Sequence, residues 1–177
     1  MTLPIKPSLY KYSDKWPKYI ILHHTEELEL NSGSVLFDKP TFQFNNLQKN
    51  YYQLDNLYLP YHFVIEKVGD EYHPIVSAPL LTKIEFLDLD TEYQEGVHIA
   101  LLGNYNADNV DLKLYDVLTL RVIIPLMKTF RIEEKNILFH SEVSFLRNTT
   151  CPGEFFSRPK LISSIRTNMK RKSVSRS

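Results

Sequence analysis

The chain has a single cysteine, Cys151, inside Thr149-Thr150-Cys151-Pro152-Gly153, and His140 lies shortly upstream of it. A histidine pair, His23-His24, ends the apolar run Tyr19-Ile20-Ile21-Leu22 near the N-terminus. Two imidazoles and one thiolate suffice for a catalytic zinc site: structural sites close around four protein ligands, whereas catalytic sites keep three and an open position for water. One cysteine forms no internal disulfide, which makes metal ligation an attractive role for it. Zinc lowers the pKa of water in the open position to about 7 and polarises a carbonyl, so the chemistry would be hydrolysis. Taken singly, each residue has a plainer reading. A lone buried cysteine is more often an inert core residue, and a histidine at a strand end is more often a hydrogen-bonded surface group. Two strand-end histidines combined with a cysteine in a Pro-Gly turn favour the metal, with His23, His140 and Cys151 as its ligands.

These three residues need elements to bring them together. Tyr19 to Leu22 is short, apolar and rich in strand formers, which predicts a buried strand with His23 at its C-terminal end. Ser34 to Asn50 has helical spacing in places and predicts a helix starting after Pro40. Two β-rich segments, Tyr61 to Val68 and Glu71 to Val76, flank Gly69-Asp70 and read as a hairpin. Pro79 to Glu95 is acidic and without period, and reads mainly as loop. Val97 to Leu102 is the next strand, and Ile137-Leu138-Phe139 a short one ending at His140. Asp111 to Phe130 is the best helix, with Asp111 as N-cap and Pro125 expected to kink or end it. Glu154 to Lys170 reads as a last helix whose start Pro159 delays.

The order predicts an α/β domain over residues 1–169, with a mixed central β-sheet flanked by helices. If the strands ending at His23 and His140 are parallel, both imidazoles emerge at one sheet edge, where open α/β sheets place their ligands. The loop holding Cys151 begins there too. A zinc groove at that edge is therefore the expected site.

At 177 residues and 43% hydrophobic content the chain has room for one real core. Lys+Arg and Asp+Glu are both 21, so net charge points to neither nucleic acid nor an anionic membrane. The stretch 170–177 is basic and reads as a disordered tail. Met1 to Trp16 has scattered charges and no apolar core, unlike a secretory signal, and no window is apolar enough to span a bilayer. Synthesis in the cytoplasm is the expectation.

Four short blocks, in order, carry a family resemblance. Tyr19-Ile20-Ile21-Leu22-His23-His24-Thr25 resembles the first zinc-ligand strand of the zinc N-acetylmuramoyl-L-alanine amidases, a superfamily that includes phage lysozyme-type amidases and the peptidoglycan recognition proteins. Pro60-Tyr61-His62-Phe63-Val64-Ile65 is similar to the family's Tyr-His-Phe strand, and Ile99 to Tyr105 to its later strand ending in Gly-Asn-aromatic. His140-Ser141-Glu142-Val143 with Thr149 to Gly153 resembles the last two ligands.

The resemblance implies a zinc-dependent amidase that hydrolyses the amide between N-acetylmuramic acid and L-alanine of peptidoglycan. Its partner would be peptidoglycan or a muropeptide. It assigns His23, His140 and Cys151 to zinc, with His24 a neighbour of the metal rather than a ligand. Tyr61 matches the catalytic tyrosine, able to hold the attacking water or donate to the oxyanion. Thr149, two before the cysteine, would be an oxyanion or substrate hydrogen-bond donor; a capping role in the turn is its alternative. Ala100 stands where amidases with a carboxylate ligand often place glutamate. A phage-type lysin, or an effector reaching the wall by lysis or dedicated secretion, fits these features best. The competing functions are a non-catalytic peptidoglycan-binding module and a different zinc hydrolase on the same scaffold. Three features depart from the family pattern: the long stretch between His140 and Cys151, the acidic Ile84 to Glu95, and Pro125 inside a helix.

Overall fold

A computed structural model describes residues 11–25, 61–146 and 149–174, with side chains described as far as Arg171. The helix expected after Pro40 lies outside these residues. Five strands form one sheet in the order β3-β2-β4-β1-β5. They are β1 (Ile20–His24), β2 (Phe63–Val68), β3 (Glu71–Val76), β4 (Val97–Leu101) and β5 (Ile137–Phe139). β1 is the hub. It pairs in parallel with β4 on one side and β5 on the other, and β4 pairs in parallel with β2. Among these five strands only the hairpin pair β2–β3 is antiparallel. Its two-residue turn opens with Gly69 at φ 59°, a left-handed conformation that glycine adopts without a Cβ penalty.

Strand alternation splits the sheet into two unlike faces. Ile20, Leu22, Val97, Ile99, Leu101 and Ile65 point to one side, fully or almost fully buried. There they pack with Leu114, Tyr115 and Leu118 of α2 (Leu112–Leu118) and with Leu161 and Ile165 of α5 (Arg158–Val174). Each such aliphatic side chain removed from water contributes about 1.5–3 kcal/mol. The opposite face carries Ile21, His23, His98, Ala100 and Val64. It lies under the segment that runs from Ser77 through the short helix α1 (Thr91–Gln94).

Asp111 caps α2 as expected, its carboxylate accepting from Lys113 N at 2.9 Å. Pro125 neither ends nor interrupts the helical path. A π-helical turn, Thr119–Ile123, leads directly into α3 (Ile124–Phe130), which has Pro125 in its first turn. Widening the preceding turn relieves the clash of the proline ring with the carbonyl four residues back. Pro159 sits in the same position in α5, which starts at Arg158. That helix continues to Val174, so Lys170 to Val174 are helical where a disordered tail is expected from residue 170. Among the described residues no helix is long and apolar enough to cross a membrane.

Candidate metal centre

β1 and β5 are parallel neighbours with Leu22 opposite Phe139. The next residue on each is a histidine, so His23 and His140 leave the sheet side by side, with ring centroids 4.6 Å apart. His140 opens α4 (His140–Val143), whose Glu142 reaches back to accept from Phe139 N at 2.7 Å. Arg158 ties this turn to α5. Its guanidinium pairs with Glu142, donates to Ile137 O at 2.9 Å and lies 4.3 Å from the centroid of the Phe139 ring.

Cys151 arrives from a turn fastened on three sides. Ser141 N donates to Cys151 O at 3.0 Å, and Thr149 Oγ1 accepts from Cys151 N at 3.1 Å. Gly153 has φ 111°, and a Cβ there would lie 2.5 Å from the backbone carbon of Tyr105, so only glycine lets the turn approach so closely. The thiol meets His24 N, which donates to Sγ at 3.2 Å. One ligand atom from each of His23, His140 and Cys151 lies within 4.8 Å of the others, close enough to hold a metal ion. His24 is not in this group: alternation turns it to the other face, where Nδ1 accepts from Tyr105 N at 3.3 Å.

Tyr61 stands beside this group, its ring centroid 5.4 Å from that of His23, and is buried. Ala100 pairs with His23 in register and puts only a methyl on that face. Thr149 adjoins the cysteine through the hydrogen bond to its backbone. As an acceptor there, Thr149 keeps its hydroxyl proton to donate.

Four further residues shape the site and lie outside the expected set. The Phe86 ring stacks on His23 at 4.7 Å and 11° and also approaches Tyr61, His98 and His140. Asp88 Oδ2 accepts from His140 Nε2 at 2.8 Å. His98 and His62 form a buried series behind His23. His23 Nε2 lies 3.0 Å from His98 Nδ1, His98 Nε2 lies 3.0 Å from Tyr93 O, and His62 Nδ1 accepts from His98 N at 2.9 Å. Burial first, then the neighbouring imidazoles, hold His23 well below the ordinary histidine range. Burial likewise lowers His98 well below that range, and His62 to about 4. These rings are therefore neutral at pH 7, the form in which imidazole binds metal.

The loop reading of Pro79 to Glu95 holds except for α1, and the Gln94 amide organises its second half by donating to Phe86 O at 2.9 Å and Leu89 O at 2.8 Å. Phe145 N, from the long stretch before Cys151, donates to Asp88 O at 3.1 Å. Two of the departures from the family pattern thus meet beside the candidate metal centre. His98 and His62 had a signal in the sequence, since each is a polar residue in an otherwise apolar strand segment. Asp88 had none.

No protein-family model and no curated protein sequence matches the chain. Solved structures do. The endolysin of the Thermus scotoductus bacteriophage Ph2119 matches with a TM-score of 0.63 at 17% identity, over 90% of this chain and 92% of that one. The N-acetylmuramoyl-L-alanine amidase LysC of Clostridium intestinale matches at 0.60 and 20%, over 89% and 93%. Drosophila PGRP-LB matches at 0.58 and 17%, over 88% and 83%. The chain has the fold that phage endolysins, N-acetylmuramoyl-L-alanine amidases and peptidoglycan recognition proteins share.

Proposed function

We propose that this chain is a zinc-dependent N-acetylmuramoyl-L-alanine amidase, cutting the amide between the lactyl group of N-acetylmuramic acid and L-alanine of peptidoglycan. The observation that carries this reading is the convergence of His23, His140 and Cys151 within 4.8 Å at the carboxyl ends of parallel strands. A thiolate with two imidazoles is the donor set that suits zinc best. Bound there, zinc supplies a Lewis acid and water of lowered pKa.

The chain's own residues do the rest. Tyr61 orients the attacking water or donates its phenol proton to the oxyanion as the carbonyl becomes tetrahedral. Thr149, bonded to the backbone of the cysteine, offers a second hydroxyl. Hydrolysis adds hydroxide to the lactyl carbonyl carbon and a proton to the departing alanine nitrogen. Ala100 stands where a carboxylate ligand would otherwise come, which supports reading the chain as a His-His-Cys enzyme that works with tyrosine.

The fold, with endolysins among the solved structures that match it, supports action on the cell wall after synthesis in the cytoplasm. A second reading, a peptidoglycan-binding module that does not cut, is favoured by Phe86, which covers one face of the His23 ring. Clearing of a peptidoglycan suspension tests the choice. Wild type should clear it and Cys151→Ala should not; equal clearing by both would contradict the metal reading.

A further inference from the structure

We infer that His98 is a positioning residue for the metal centre: its ring holds His23 in the tautomer that carries its proton on Nε2 and leaves the Nδ1 lone pair to a metal. The inference rests on the metal reading of His23 but not on the choice of substrate.

The constraint begins at Tyr93, at the end of α1. Its carbonyl oxygen lies 3.0 Å from His98 Nε2 and can only accept, so His98 Nε2 carries the proton. A neutral imidazole has one N–H, so His98 Nδ1 presents a lone pair. That lone pair lies 3.0 Å from His23 Nε2, and the contact is a hydrogen bond only if His23 donates. The opposite tautomer of His23 would set two lone pairs against each other in a fully buried place. The His98 ring is held by its Nε2 contact to Tyr93 O at 3.0 Å and by the Phe86 ring, 4.9 Å from its own, while the backbone N–H of His98 donates to His62 Nδ1 at 2.9 Å. His62 is fixed in turn by Thr82 O at 3.0 Å from its Nε2. The direction of the His98–His23 hydrogen bond is thus set by one backbone carbonyl, that of Tyr93. On the other ligand Asp88 does the same in one step, taking the Nε2 proton of His140. Metal-ligating histidines commonly depend on such outer partners for tautomer and orientation.

Three buried imidazoles that merely satisfied one another would affect stability alone. The positioning role predicts that zinc affinity follows the acceptor at the Nδ1 position. His98→Asn keeps an acceptor oxygen near that position, and His98→Leu fills the space without one. In competition with a chromophoric chelator, His98→Leu should bind zinc about 10–100-fold more weakly than wild type, and His98→Asn within about threefold of it. Equal losses in the two variants, or no loss in His98→Leu, would overturn the inference. A second measurement needs no variant. Long-range proton–nitrogen NMR of metal-free, ¹⁵N-histidine-labelled wild type should show both His23 and His98 protonated at Nε2, and protonation of His23 at Nδ1 would overturn the inference. Failure of wild type to bind zinc would instead overturn the metal reading, and the tautomer measurement would still decide the role of His98.

Discussion

Asp88 Oδ2 lies 2.8 Å from His140 Nε2, a contact between residues 52 apart in the chain. The carboxylate comes from a segment with no periodicity and the imidazole from a strand end, so the sheet edge is completed by a loop. Asp88→Ala removes the acceptor that orients His140. It should weaken zinc binding about 10–100-fold, measured by chelator competition. Unchanged affinity would mean that His140 is oriented by its own strand and helix.

Tyr61→Phe keeps the ring that packs beside His23 and deletes only the phenol. Turnover of peptidoglycan should fall about 10²–10³-fold, as for other lost oxyanion donors, while pelleting with insoluble peptidoglycan is retained. A variant that cuts as fast as wild type would remove Tyr61 from the chemistry.

Much of this centre was legible in the sequence, and the reason is local. His23 and His140 each follow the last apolar residues of a short strand, so parallel pairing alone was enough to bring them together. The turn before Gly153 was legible as well, because Pro152-Gly153 names its own geometry. What was not legible depends on contacts far apart in sequence. Asp88 and Phe86 reach the site because the Gln94 amide and the backbone of Phe145 shape the segment around them. Pro125 was expected to break a helix, and a π-turn absorbs it instead, a compensation that pattern and propensity do not encode. The basic run from Lys170 reads as tail by charge, but it is carried along by a helix whose buried residues lie upstream.

Gly153→Ala would place a methyl 2.5 Å from the Tyr105 backbone at φ 111°. The cost should be about 2–4 kcal/mol, read from the denaturant midpoint, with zinc affinity falling as Cys151 is displaced. A variant as stable as wild type would show that the turn has room to move.

Glu66 is fully buried on β2, and neither carboxylate oxygen has a hydrogen-bond partner among the described residues. Burial pushes its pKa from 4.5 up to about 8. The folded chain therefore keeps a proton that the unfolded chain releases. The stability tied to that proton is whole below pH 4.5 and is lost as pH rises through about 8. Glu66→Gln should gain on wild type as pH climbs through this window, by about 2–4 kcal/mol at pH 8, in urea unfolding at a series of pH values. A difference that does not change with pH would show that the carboxyl is ionised in the fold.

Three converging ligands would make this chain an amidase. The most direct test of this reading is a digest of purified peptidoglycan with the zinc-loaded protein, with and without a chelator, read by mass spectrometry. Stem peptides with a new N-terminal L-alanine should be released, and only when the chelator is absent. A folded, zinc-loaded protein that releases no such peptide from several peptidoglycan types, or releases it equally with chelator present, would contradict it.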